Sequence, residues 1–139
     1  MKYLVKFIMF FGLLIALESC QHQYPAGLVE VDSLLCQNPQ LAAFKLRSFG
    51  QNVDSQKLDD YNYWRLLSLM VKERTYQPIG SSETLEKLIS YYDGKHEEIN
   101  LAKACYLQGR LMQEYHEYPL ALSYFHRSLK CWICRIIRN

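Results

Sequence analysis

Apolar residues recurring at helical spacing, separated by short polar turns, mark this chain as all-α, folded as stacked antiparallel helical hairpins. Two stretches carry that expectation. From Leu101 to Leu129, Ala104, Cys105, Leu107, Leu111 and Met112 recur at helical spacing, and Leu120, Ala121, Tyr124, Phe125, Ser128 and Leu129 then do the same. Glu114 to Tyr118 supplies the bend between them, and Pro119 stands where an early helical position needs no backbone N–H. From Asp59 to Gly94 a second pair of helical patterns is divided by Tyr76-Gln77-Pro78-Ile79-Gly80.

The first residues are of another kind. Lys2 and Lys6 form a basic start, and Phe7 to Leu17 is an unbroken apolar run. It is shorter than the roughly 20 residues that span a bilayer, and its length suits the apolar core of a signal peptide, here residues 1–19. Leu17-Glu18-Ser19-Cys20 resembles the bacterial lipobox, with Glu18 departing from the usual small residue. The resemblance implies diacylglycerol on the Cys20 sulfur, cleavage before Cys20 and acylation of the new amino terminus. Each buried methylene adds about 0.8 kcal/mol, so several acyl chains would anchor the protein firmly. Residues 20–27 are expected to form a polar tether that does not pack. They lack the acidic cluster of some surface-exported lipoproteins, so the expected site is the outer membrane, facing the periplasm.

Leu28, Val31, Leu34 and Leu35 share one face of a short helix that Gln37-Asn38-Pro39 ends. A second helix runs to Phe49, completing a first hairpin over residues 28–49, and residues 50–55 form a loop by composition. The second hairpin spans 59–94. Asp59 or Asp60 opens it at the positive end of the helix dipole, Ser81 or Ser82 caps its second helix, and Gly94 is the expected C-cap. The third spans 101–129, and the apolar tail 130–139 continues its last helix.

The third hairpin resembles the tetratricopeptide (TPR) repeat, a unit of about 34 residues with the pattern W-x2-L-G-x2-Y, then A-x3-F, then P. Cys105 stands at the Trp position, Gly109 at the Gly, Met112 at the Tyr, and Ala121-x3-Phe125 follows. Tyr118 lies where the family packs an aromatic under the turn. Gln108 replaces the usual Leu, and Ile133 the closing Pro. In the second hairpin Trp64-x2-Leu67-Ser68-x2-Val71 matches the first half, with Ser for Gly, and Leu85-x3-Ile89 takes the Ala-x3-Phe place. Ala42-x3-Leu46 in the first hairpin is a weak echo. The resemblance implies a TPR-like α-solenoid in which Gly109 and Ala121 let neighbouring helices cross closely while Phe125 and Met112 fill the space beside them.

Net charge is +2, with Lys and Arg scattered, so no nucleic-acid partner is expected. Cys131-Trp132-Ile133-Cys134 is a lone C-x-x-C; a metal site needs further ligands, and a thioredoxin-like role needs a βαβ context. His116-Glu117 begins like H-E-x-x-H, but Leu120 occupies the second His position. Cys36 and Cys105 fall on apolar faces and are expected to be small buried residues. With no phosphate loop and no nucleophile motif, neither catalysis, a metal nor a cofactor is expected.

A binding face is expected instead. By the resemblance, the first helix of each hairpin lines a concave surface, to which Asn62, Arg65, Leu69 and Lys72 contribute from the second hairpin. Lys103, Tyr106, Arg110 and Gln113 contribute from the third. Arg65, Lys72, Lys103 and Arg110 are cationic, which suits an acidic segment or a free C-terminal carboxylate. The tail carries Trp132, Ile133, Ile136 and Ile137, an uncapped apolar face open to self-association, as in an array cut short or ended in an altered frame. The expected function is a lipid-anchored protein-interaction scaffold of the bacterial envelope. The alternative is the sensory N-terminal region of an envelope signal-transduction or transcription-regulatory protein.

Overall fold

The computed structural model describes residues 22–50, 53 and 57–138. Among them are six helices and no strand: α1 (Ala26–Leu34), α2 (Pro39–Gly50), α3 (Leu58–Arg74), α4 (Ser82–Lys95), α5 (Glu98–Glu114) and α6 (Tyr118–Arg138).

Helix starts follow local chemistry. Before α2, the Asn38 side-chain oxygen accepts the Leu41 N–H at 3.0 Å, and Pro39 takes the first helical position, where no N–H is required. Ser81 caps α4, its hydroxyl accepting the Thr84 N–H at 3.4 Å. In α3, Asp59 and Asp60 lie in the first turn and Lys72 and Arg74 in the last, each on the favourable end of the dipole.

Helix ends were less legible. Tyr76, His96 and His116 follow α3, α4 and α5 with φ of 57°, 57° and 62°. After each, the next N–H turns back onto a carbonyl five residues earlier: Gln77 to Lys72 at 2.8 Å, Glu97 to Tyr92 at 3.1 Å, Glu117 to Met112 at 2.9 Å. This is one left-handed closure used three times, each time by a residue other than glycine. Gly94, expected as the C-cap, lies inside α4, and His96 is the cap. α5 accordingly starts at Glu98, ahead of the expected Leu101.

Alternate helices pack in a row, α1 on α3 and α3 on α5. α2 lies against α1 and α3, while α4 and α6 lie against α5. Leu28, Val31, Leu66, Leu67, Leu85, Leu88, Tyr92, Cys105 and Leu107 fill the interior. α5 is the most enclosed helix, buried from Asn100 through Met112 on most of its circumference.

The α5–α6 crossing rests on a missing side chain. A Cβ at Gly109 would stand 2.6 Å from Phe125 Cδ1 and Cε1, so only glycine leaves the ring room. Ala121 is buried beside it, and the Ser128 hydroxyl donates to the Ala102 carbonyl at 2.7 Å. Gln108, standing where the repeat pattern has Leu, is buried, and its amide donates to the Ser82 hydroxyl of α4 at 2.6 Å. In α3, Leu67 and Val71 are buried, Ser68 donates to the Trp64 carbonyl at 2.8 Å, and Trp64 lies against Gly50.

Three local expectations need correction. Tyr118 is 57 % exposed and meets His116, not the underside of the turn, because α6 already begins there. Cys36 is exposed, since α1 has ended before it, while Cys105 is buried. The segment expected as a loose tether is engaged from His22 onward: the His22 imidazole meets the Asp60 carboxylate at 2.7 Å, and the Tyr24 ring lies on Tyr63 with centroids 4.0 Å apart.

Candidate functional site

Polar links join the alternate helices across their shared face. Asp32 of α1 accepts the Tyr63 hydroxyl of α3 at 2.7 Å. It also accepts the Lys103 ammonium of α5 at 2.7 and 2.5 Å on its two oxygens. One carboxylate thus ties three helices. The Tyr24 hydroxyl donates to Glu97 Oε2 at 2.5 Å, where the Asn100 amide also donates at 2.9 Å. Further along, the Tyr106 hydroxyl donates to Glu73 Oε1 at 2.9 Å, with Arg110 Nε at 3.4 Å from the same oxygen.

Burial pushes the Tyr63, Tyr24 and Tyr92 phenols well above the ordinary tyrosine value; hydrogen bonds to Asp32 and Glu97 add to this for the first two. Unfolded tyrosine ionises near pH ~10. A raised folded value means this stability is fully present below that pH and is lost as pH rises through the folded values. Alkaline unfolding should therefore set in above about pH 10, with helical circular dichroism and the absorbance of these tyrosinates changing together. Ionisation of the three phenols before any loss of helicity would contradict that linkage.

The face carries a groove of about 560 Å³. Val29 and Leu35 from the first hairpin, Met70 of α3, Ile99 of α5 and Trp132 of α6 supply apolar wall, and Asp32, Arg74, Lys103 and Tyr106 supply polar groups. A second cavity of about 520 Å³ shares Asp32 and Ile99 with it. That one is polar, with His22, Tyr24, Tyr63, Glu97, Asn100 and Arg135 around it. The cleft therefore has an apolar end and a polar end that meet at Asp32. Such a surface can seat a segment with apolar side chains on one portion and hydrogen-bonding groups on the other.

Of the eight residues expected on the binding face, Lys103 and Tyr106 line the groove. Asn62 and Leu69 do not belong to any surface: each is only 7 % exposed, because α3 is covered on more sides than a single stripe predicts. Arg65 is half-buried with its guanidinium 5.5 Å from the centre of the Tyr61 ring. Lys72 and Gln113 are exposed away from the groove walls, and Gln113 accepts from Arg110 Nη1 at 2.7 Å. The expected cationic character is also reduced, since Asp32 pairs with Lys103 and Glu73 with Arg110. Sequence reasoning missed Val29, Asp32, Met70 and Ile99, and it assigned Trp132 to an open apolar tail, whereas Trp132 lines the groove. A usable signal existed: Asp32 and Lys103 are opposite charges about two repeat lengths apart.

Cys131 and Cys134 are partly buried, with the Cys131 thiol pushed up by burial. Among the described residues no three His, Cys, Asp or Glu side chains converge as metal ligands would. No described helix is long and apolar enough to cross a membrane, and Cys20 with the signal segment 1–19 lies outside the described residues. Compared with family models, with curated proteins and with solved structures, the chain gives no match.

Proposed function

We propose that this chain is a lipid-anchored, non-catalytic protein-interaction scaffold of the bacterial envelope. Its hairpins form a short TPR-like solenoid, and it takes a partner segment in the groove over α1, α3 and α5. The groove carries the proposal: about 560 Å³ of largely apolar wall drawn from four separated stretches of chain. Two features support the repeat reading. The links between alternate helices run at sequence offsets of 31 for Asp32–Tyr63 and 33 for Glu73–Tyr106, close to a repeat of about 34. The Gly109–Phe125 contact places the smallest residue where the pattern requires close approach.

The partner segment is amphipathic, its apolar side chains on Met70, Ile99 and Trp132 and its acidic groups toward Arg74. Membrane attachment is through Cys20, facing the periplasm. A photocrosslinking residue placed at Val29, on the groove, should capture a defined partner in cells, whereas one at Lys87, exposed on α4, should not. Ile99→Glu should abolish the Val29 adduct. The same adducts from both positions, or adducts indifferent to Ile99→Glu, would remove the groove from the account. Cys20→Ala should abolish incorporation of labelled fatty acid; persistent labelling would remove the anchor.

A further inference from the structure

The chain is clasped to the body of the protein just before its first helix. His22 Nε2 stands 2.7 Å from Asp60 Oδ1, and its Nδ1 stands 3.6 Å from Asp59 Oδ2, both in the first turn of α3. Two residues on, Tyr24 meets the His22 ring edge-to-face and lies on Tyr63, and its hydroxyl donates to Glu97 at the start of α5. The same cavity is walled by Lys95, the last residue of α4, and by Arg135 near the end of α6. The clasp therefore sits at the end of the bundle where α3 and α5 begin and α4 and α6 finish.

That position fixes a distance. His22 follows Cys20 by two residues, a span of at most about 7 Å however the backbone runs. A free tether over residues 20–27 would reach about 25 Å. The polar layer of each leaflet is about 5–7 Å thick, so an acylated Cys20 leaves His22 no room to stand clear of it.

The surface beside His22 suits that layer. Leu58 is 58 % exposed at the start of α3, with exposed Lys57 before it. A lysine stem can lie along apolar surface while its ammonium stays among polar groups. Asp59 is paired with Lys95 at 2.7 Å and Asp60 with His22, so neither carboxylate meets lipid phosphate alone.

We propose that this end of the bundle rests on the lipid bilayer, held there by the His22–Tyr24 clasp. The orientation depends on the acylation of Cys20 proposed above and adds to it which face meets the membrane. α3 points away from the bilayer, and the polar end of the cleft, walled by His22 and Tyr24, opens at the headgroups.

The test uses the full acylated chain in vesicles of phosphatidylethanolamine and phosphatidylglycerol that carry a nitroxide on the headgroup. A fluorescent amino acid replaces Leu58 or, past the far end of α3, Gln77, both of them exposed. The 17 residues of α3 put about 25 Å between the two sites, so the Leu58 probe should be quenched roughly threefold more than the Gln77 probe. Inserting about 12 Gly and Ser residues between Gln21 and His22 adds about 20 Å of reach and leaves the clasp itself in place. Quenching at Leu58 should then fall to the level at Gln77. His22→Ala with Tyr24→Ala, which frees the tether without lengthening it, should lower it too. Equal quenching at the two sites in the acylated parent, or quenching at Leu58 that survives the insertion, overturns the clasped orientation and leaves the anchor standing. A chain that takes up no labelled fatty acid overturns the anchor, and the orientation with it.

Discussion

Gly109→Leu is expected to destabilise the protein by about 3 kcal/mol, through overpacking at the α5–α6 crossing. The first added atom already stands 2.6 Å from two carbons of the Phe125 ring, well inside contact distance. Phe125 is partly buried against the core and next to Tyr106, so its ring cannot swing clear without leaving its own contacts. Gly109→Ala separates the two effects. Alanine stabilises a helix interior by about 1 kcal/mol over glycine, which offsets part of the clash. In a Phe125→Ala background the clash is gone, and Gly109→Ala should become stabilising by up to about 1 kcal/mol. Urea midpoints of the four-member cycle read this sign change directly. If Gly109→Leu leaves the midpoint unmoved, the two helices do not approach at this point.

Asp32→Ala should cost about 2 kcal/mol and act first on α1. Lys103 and Asp32 have side chains only 13 % and 23 % exposed, so removing the carboxylate leaves an ammonium and the Tyr63 hydroxyl largely withdrawn from water. A fully buried pair would cost more; the residual exposure of both groups reduces the figure. Asp32→Asn keeps an acceptor for both donors and should lose less. Replacing the pair together, as Asp32→Leu with Lys103→Met, should come within about 1 kcal/mol of the parent, because it removes the desolvation cost along with the attraction. Hydrogen exchange should show α1 amides opening in Asp32→Ala while α5 stays protected. Uniform loss of protection across all helices would mean the pair contributes to global stability and not to the seating of α1. Since α1 forms one wall of the groove, the crosslink from Val29 should weaken in the same variant.

What could be read from the chain without its fold was whatever depends on near neighbours. Helical spacing placed six helices, Pro39 and the Ser81-Ser82 pair marked two starts, and Gly109 with Phe125 anticipated a close crossing; that Asn38 caps α2 came from the structure. The helix ends escaped because glycine is the usual left-handed residue, and here His96 and His116 take that conformation with Gly94 available two residues earlier. Tyr24 escaped because its polar neighbourhood looks like linker, while the ring's partners, Tyr63 and Glu97, lie far along the chain. The binding face went furthest astray for the same reason. A helical wheel counts Lys103 and Arg110 as cations and Leu69 as surface, but Asp32, Glu73 and the packing of α3 arrive from elsewhere.

Local periodicity decides that this chain is helical and where it bends, because a helix answers to residues three and four apart. Which charges are neutralised and which apolar side chains line a groove are decided by contacts between residues 31 to 71 apart in the chain. Those exist only once α1, α3 and α5 lie side by side, and burial and pairing are properties of that assembly and of no single stretch within it.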